Sequence, residues 1–265
     1  MLDGRIEGKW IDAFAHVFTL CKVQPGDAVA ILSESQSRPL PVQLAELALH
    51  RIGARLFHVV MPTPRQSAPV PVRSTGASDA IQGLGPVISA LGQAALVVDC
   101  TIEGLLHAVE LPAILASGAR VLMVSNEHPD VLERLLPDPA LAPKVKQGIR
   151  LLRQGKKLHL TSAAGTDLTV DLARARVGGG WGYTERPGTI THWPGGLCLC
   201  FPAAGAVNGT LATGDAPARS AALICSQFRL TASAPATATS PNTCGWRRSS
   251  FATRPRCTSS GPSAM

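Results

Sequence analysis

Apolar positions along the first half of the chain alternate between two periods. Trp10, Phe14, Val17, Phe18 and Cys21 fall on one stripe, so residues 10–22 are predicted to form an amphipathic helix. Pro25-Gly26-Asp27 marks a turn, and residues 28–32 are a short apolar run of strand length. Residues 39–50 return to helical spacing, with Gly53 placed as a C-terminal cap. The pattern then repeats. Strands are predicted at 56–60, 95–99 and 120–124, with helices starting at 87–91 and spanning 103–117, the latter stopped by Gly118. Residues 61–85 are rich in Pro, Ser and Gly and read as a long surface excursion. The step Gly-Ala-Arg into an apolar strand occurs at Gly53 and again at Gly118, one helix-to-strand solution used twice.

Strands that are apolar throughout and alternate with helices belong to a parallel sheet covered on both faces. The expected fold class is α/β. A doubly wound parallel sheet domain (residues 1–155) is followed by an incomplete β-rich second domain (156–215) and an irregular tail (216–265). Helical segments over 128–154 bridge the two domains. In the second, Leu158 and Leu160 alternate with His159 and Thr161, and Leu168 and Val170 with Thr169 and Asp171. Gly165 sits at the bend between these two strands, where Asp167 can bond back to the turn amides. The run Gly178-Gly179-Gly180 and two Pro-Gly pairs then place polar and aromatic groups on irregular backbone.

Composition narrows the functional classes. With 265 residues, 45% of them hydrophobic, the chain can bury a substantial core. There is no apolar stretch of membrane-spanning length and no signal-peptide pattern, so a soluble, cytoplasmic protein with no membrane partner is expected. Seven scattered cysteines suit reduced thiols. Cys198 and Cys200 share one face of a strand, and partly buried strand residues is a plainer reading of them than metal ligation. The net charge of +7 suggests nucleic acid until it is located. Six arginines in residues 216–265, with no Lys, Asp or Glu there, carry +6 of it and leave the rest at +1. No basic face tracks a phosphate backbone, and no nucleic-acid partner is expected. No G-x-G-x-x-G or P-loop follows any predicted strand, so a nucleotide has no support either. In the tail, thirty of fifty residues are Ala, Ser, Thr or Pro. We read this segment as out-of-frame translation of a GC-rich gene rather than a natural low-complexity tail.

His107, in Gly104-Leu105-Leu106-His107, lies a few residues beyond the strand ending at Asp99. Ligands of open α/β sheets gather at the carboxyl ends of strands, and an imidazole there can take a hydroxyl proton. Taken alone, such a residue is more ordinarily a first-turn helical histidine bonded to a carbonyl. His192 reads as a loop residue packed under Trp193, with ligand or partner-of-ligand roles as alternatives. His16, His50, His58, His128 and His159 have no constellation around them, and Asp99 and Asp167 read as structural acceptors.

An ordered set of motifs goes further. Ser162-Ala163-Ala164-Gly165-Thr166-Asp167-Leu168, Gly182-Tyr183-x-x-x-Pro187-Gly188, His192-Trp193-Pro194-x-Gly196 and Asn208-Gly209-Thr210 resemble the 2,5-dihydroxypyridine 5,6-dioxygenase family. That family is related to the thermophilic leucyl aminopeptidases. The resemblance covers residues 10–214. It implies an iron(II)-dependent, extradiol-type ring opening in nicotinate degradation, with a small aromatic N-heterocycle and O2 as partners and self-association into a homo-oligomer. By the same resemblance His107 is the base, Leu106 and His192 are substrate-binding, and one carboxylate ligand belongs three residues before Tyr183. Gly180 stands there, leaving Glu185 as the only nearby carboxylate candidate for metal. The family's other ligands come from its C-terminal half. Poor iron binding and impaired activity are therefore expected, with a metallo-aminopeptidase or a non-catalytic remnant as the alternative readings.

Overall fold

A computed structural model describes residues 5–65, 76–212 and 231–233. It divides into two compact units, residues 1–149 with 178–199 and residues 150–177 with 200–265. The tail read as 216–265 lies outside the described residues except for 231–233.

The first unit is an α/β sheet. Helix α1 (Gly8–Leu20) buries Trp10, Ala13, Phe14, Val17 and Phe18, the predicted stripe. It leads to β1 (Ala28–Glu34), α2 (Pro39–Ile52) and β2 (Arg55–Met61). Gly53 closes α2 in the left-handed region at φ +87°, a conformation that costs glycine least. Then follow α3 (Gly85–Gly92), β3 (Leu96–Asp99), α4 (Leu111–Ala116), β4 (Arg120–Val124), α5 (Pro129–Arg134) and α6 (Leu141–Gln154). The fifth strand, β8 (Ile190–Trp193), arrives only after β5 (Lys157–Thr161), β6 (Asp167–Asp171) and β7 (Arg176–Gly180). Strand order is β2-β1-β3-β4-β8, and every pairing is parallel.

Two cores flank this sheet, divided by side-chain alternation. Val29, Ile31, Leu96, Val98, Leu122, Val124 and Trp193 face α1 and α2. Ala30, Leu32, Val97, Val121 and Ile190 face α3 and α4. Trp193, fully buried, stands edge-on to Phe14 with ring centroids 4.9 Å apart and donates its indole N–H to the Leu135 carbonyl at 2.9 Å. Buried Arg120 donates to the carbonyls of Ala95 and Cys21, tying the end of α1 to the start of β4.

Several expectations change. The predicted helix over 103–117 shortens to α4, because Pro112 belongs in a first turn and cannot sit inside a helix. Residues 101–110 become an irregular loop. His192-Trp193 is a strand rather than a loop, and the segment read as the start of the second domain contributes it to the first sheet. The triple glycine lies on β7 rather than on irregular backbone.

In the second unit, β5 and β6 form the expected antiparallel hairpin. Strand β10 (Val207–Ala212) pairs antiparallel with β6 and parallel with β11 (Thr231–Ser233). Among the described residues this unit's core gathers Leu168, Val170, Leu172 and Val207. The hairpin turn closes through Ser162 and Thr166, while the Asp167 carboxylate meets His159 across the strands at 2.7 Å instead of the turn amides. Strand β9 (Leu197–Phe201) carries Cys198, exposed, and Cys200, half-buried, and pairs with β7 in a two-stranded sheet. Among the described residues no helix is long and apolar enough to cross a membrane.

Because β8 completes the first sheet, cleavage between β4 and β8 should not release a stable α/β fragment. Limited proteolysis is expected to leave a resistant fragment that still contains Trp193. Trp193→Ala should lower unfolding free energy by about 3–5 kcal/mol, measured by denaturant titration.

Candidate active site at the sheet's carboxyl edge

The chain runs from β1 outward to β2 and then returns across β1 to β3, so the strand order reverses between β1 and β3. That reversal marks the position at which open α/β sheets hold ligands, and here the two connections are bridged by the Ser37 hydroxyl, which donates to the Cys100 carbonyl at 2.7 Å. Register places Leu32, Asp99, Met123 and His192 in one row across β1, β3, β4 and β8. Their alternation partners Ala30, Val97, Val121 and Ile190 all belong to the α3–α4 face, so the row faces that side. Glu34 lies two residues farther along β1.

Asp99 is fully buried and organises the loop that follows it. Its Oδ1 accepts from the Thr101 hydroxyl at 2.6 Å and the Thr101 amide at 3.0 Å, and its Oδ2 accepts from the Leu105 amide at 2.6 Å. Thr101 Oγ1 in turn accepts from the Gly104 amide at 3.1 Å. Gly104, at φ +80°, rests on the Met123 side chain, and any Cβ there would collide with that thioether. Leu105 is consequently fully buried, Leu106 half-buried and His107 exposed on a turn.

A second segment meets this loop. Gly76 donates its amide to the Glu103 carbonyl and accepts the His107 amide, while the Ser78 amide donates to the Gly104 carbonyl at 2.8 Å. A Cβ at Gly76 would sit 2.8 Å from the Leu106 Cβ. Buried Ser78 donates its hydroxyl to Glu34 at 3.0 Å, which anchors this second segment to β1. Burial raises the Glu34 carboxyl above its ordinary range, opposed by the Ser78 bond. Burial likewise pushes Asp99 from its ordinary 3.8 up to about 6, against the bonds from Thr101 and Leu105 and with a smaller contribution from Glu34.

His192 is half-buried at the end of β8. Burial lowers its basicity, and a bond with the Pro194 backbone opposes that. The structure thus brings Leu106, His107 and His192 to the same end of the sheet. It does not bring Glu185 there. Neighbouring Thr184 donates to Cys21, and the loop 184–189 joins the sheet through Gly118 and Val121, at the strands' amino end. Asp99's anchoring role was legible as that of a structural acceptor. Glu34 and Ser78 carry no motif in the sequence, although a lone acidic residue closing an apolar run is a usable signal.

The donor set does not fit a mononuclear iron centre. Among the described residues no three His, Cys, Asp or Glu side chains gather where an ion could bind. A side chain at Gly180 would place its Cβ 2.8 Å from the Thr191 hydroxyl, so that position also lacks room for a carboxylate without rearrangement. Cys198 donates to the Val145 carbonyl at 3.4 Å. In the second unit a shallow concavity lined by Asp171, Arg174 and residues 203–206 offers no imidazole.

The first unit is thus an open, all-parallel α/β sheet with the His107 loop at the carboxyl end of β3. Comparison makes the class specific. Residues 9–234 match the profile of 2,5-dihydroxypyridine 5,6-dioxygenase. A 2,5-dihydroxypyridine 5,6-dioxygenase from Pseudomonas putida KT2440 is 33% identical over 200 residues, covering 75% of this chain and 56% of the relative. The solved structure of the 2,5-dihydroxypyridine dioxygenase from Pseudomonas putida KT2440 superposes with a TM-score of 0.68 at 32% identity, over 76% of this chain and 57% of that one. The chain belongs to the 2,5-dihydroxypyridine 5,6-dioxygenase family. It spans little more than half the length of that relative.

The Asp99 carboxyl sets a pH dependence. Its folded value of about 6 lies above the ordinary 3.8, so between those values the folded chain holds a proton that the unfolded chain releases. Stability attributable to this group therefore falls as pH rises through that window. Denaturant titrations should show wild type losing about 2 kcal/mol relative to Asp99→Asn between pH 4 and pH 7.

Proposed function

We propose that this chain binds a dihydroxylated pyridine at the carboxyl edge of its first sheet, and that His107 takes a hydroxyl proton from it. The observation that carries this reading is the placement of His107. It sits on an exposed turn above the switch point, within the Leu-Leu-His that resembles the family's base. Leu106 offers an apolar contact to the flat ring beside that base, and His192 contributes a polar group at the same end of the sheet on β8, with β4 between it and β3. An imidazole is suited to accept such a proton, and a base placed this way supplies roughly 10²–10⁴ in rate. Deprotonation turns the pyridinol into an electron-rich anion, the form suited to reaction with O2.

Iron(II) would supply the oxygen chemistry in the family. The described residues do not furnish its ligands, so we assign this chain substrate binding and proton transfer, with ring opening in nicotinate degradation impaired. A metallo-aminopeptidase would need a metal-held water and meets the same shortage of ligands.

Titration of the purified chain with 2,5-dihydroxypyridine, followed by absorbance, should show saturable binding and a shift toward the deprotonated ring. His107→Gln should weaken binding about tenfold and abolish the shift. A leucine anilide should show no turnover. Iron-dependent consumption of dihydroxypyridine at a rate of several per second would overturn the assignment of impaired ring opening.

A further inference from the structure

We infer that Asp99, acting through Thr101, is a positioning residue for His107. This rests on the reading of His107 as the proton acceptor, and the geometry supports it independently of any metal. Three donors converge on one buried carboxylate: the Thr101 hydroxyl, the Thr101 amide and the Leu105 amide. They fold residues 101–105 back onto the end of β3, and the Thr101 oxygen passes the restraint on to the Gly104 amide. Gly104 is thereby held against Met123, so closely that a Cβ at this position would collide with the thioether. The next backbone group to be held is the His107 amide itself, by the Gly76 carbonyl. That carbonyl belongs to the segment fixed through Ser78 to Glu34 on the adjacent strand. The imidazole thus stands on a turn restrained from both sides, each restraint ending at a buried carboxylate of a central strand.

Asparagine is a sharp probe of this arrangement. It keeps one acceptor of Asp99 and converts the other into a donor, which must then face either the Leu105 amide or the two Thr101 donors. The charge buried in the sheet disappears at the same time, so the loop can loosen while the sheet keeps its stability.

The test uses the full 265-residue chain. Hydrogen exchange in Asp99→Asn and Thr101→Val should quicken about tenfold or more across residues 101–108, while amides of β1 and β4 keep wild-type rates. Thr101→Ser, which retains the hydroxyl, should retain protection. In the dihydroxypyridine titration, Asp99→Asn should weaken binding as much as His107→Gln does, and the double variant should be no weaker than His107→Gln alone. Unchanged exchange over 101–108, exchange rising equally through the whole sheet, or additive losses in the double variant would each overturn the positioning role. If the wild-type chain fails to bind dihydroxypyridine, the proposed function falls, and the exchange measurements alone decide whether Asp99 holds the turn.

Discussion

The first unit turns on a carboxylate placed where a parallel sheet ends. Central strands buried on both faces have no room for polar side chains along their length, so polar chemistry is confined to their tips. Asp99 occupies such a tip and is itself out of water. Burial opposes its charge, and three directed donors favour it. That opposition ties the shape of the loop to the ionisation of the group. An apolar residue there would leave two amides and a hydroxyl buried without acceptors.

Most of the first sheet was legible because its strands are short apolar runs separated by helical spacing, and those patterns are local. Strand β8 was not. Ile190-Thr191-His192-Trp193 alternates polar with apolar and sits among Pro-Gly pairs, so nothing local distinguishes it from a binding loop. Its identity comes from pairing with β4 and from Trp193 filling space beside Phe14, both of which are long-range facts. The loop after Asp99 is hidden from local pattern for a related reason. Leu105, Leu111 and Ile114 suit a helix by spacing, but Pro112 allows a helix to start only beside it, and the buried carboxylate claims the amides upstream.

The candidate site was legible in its residues and not in its grouping. His107 and His192 are far apart in sequence, and the parallel register brings both to one edge of the sheet. Glu185 is close to His192 in sequence, yet β8 carries the chain from one edge of the sheet to the other between them. Sequence proximity misleads across a strand, since each residue advances the chain by about 3.3 Å. The carboxylate nearest in number is the one that the fold sets at the far end.

The late arrival of β8 also bears on how the molecule is made. Four strands emerge from the ribosome well before their fifth neighbour, and a hairpin of the other unit emerges in between. During that interval Phe14 and the β4 flank lack the indole that will cover them, a greasy seam open to water or to a chaperone. Such long-range closure slows folding, and it makes the nascent protein depend on synthesis reaching residue 193 before its neighbours find another strand to pair with.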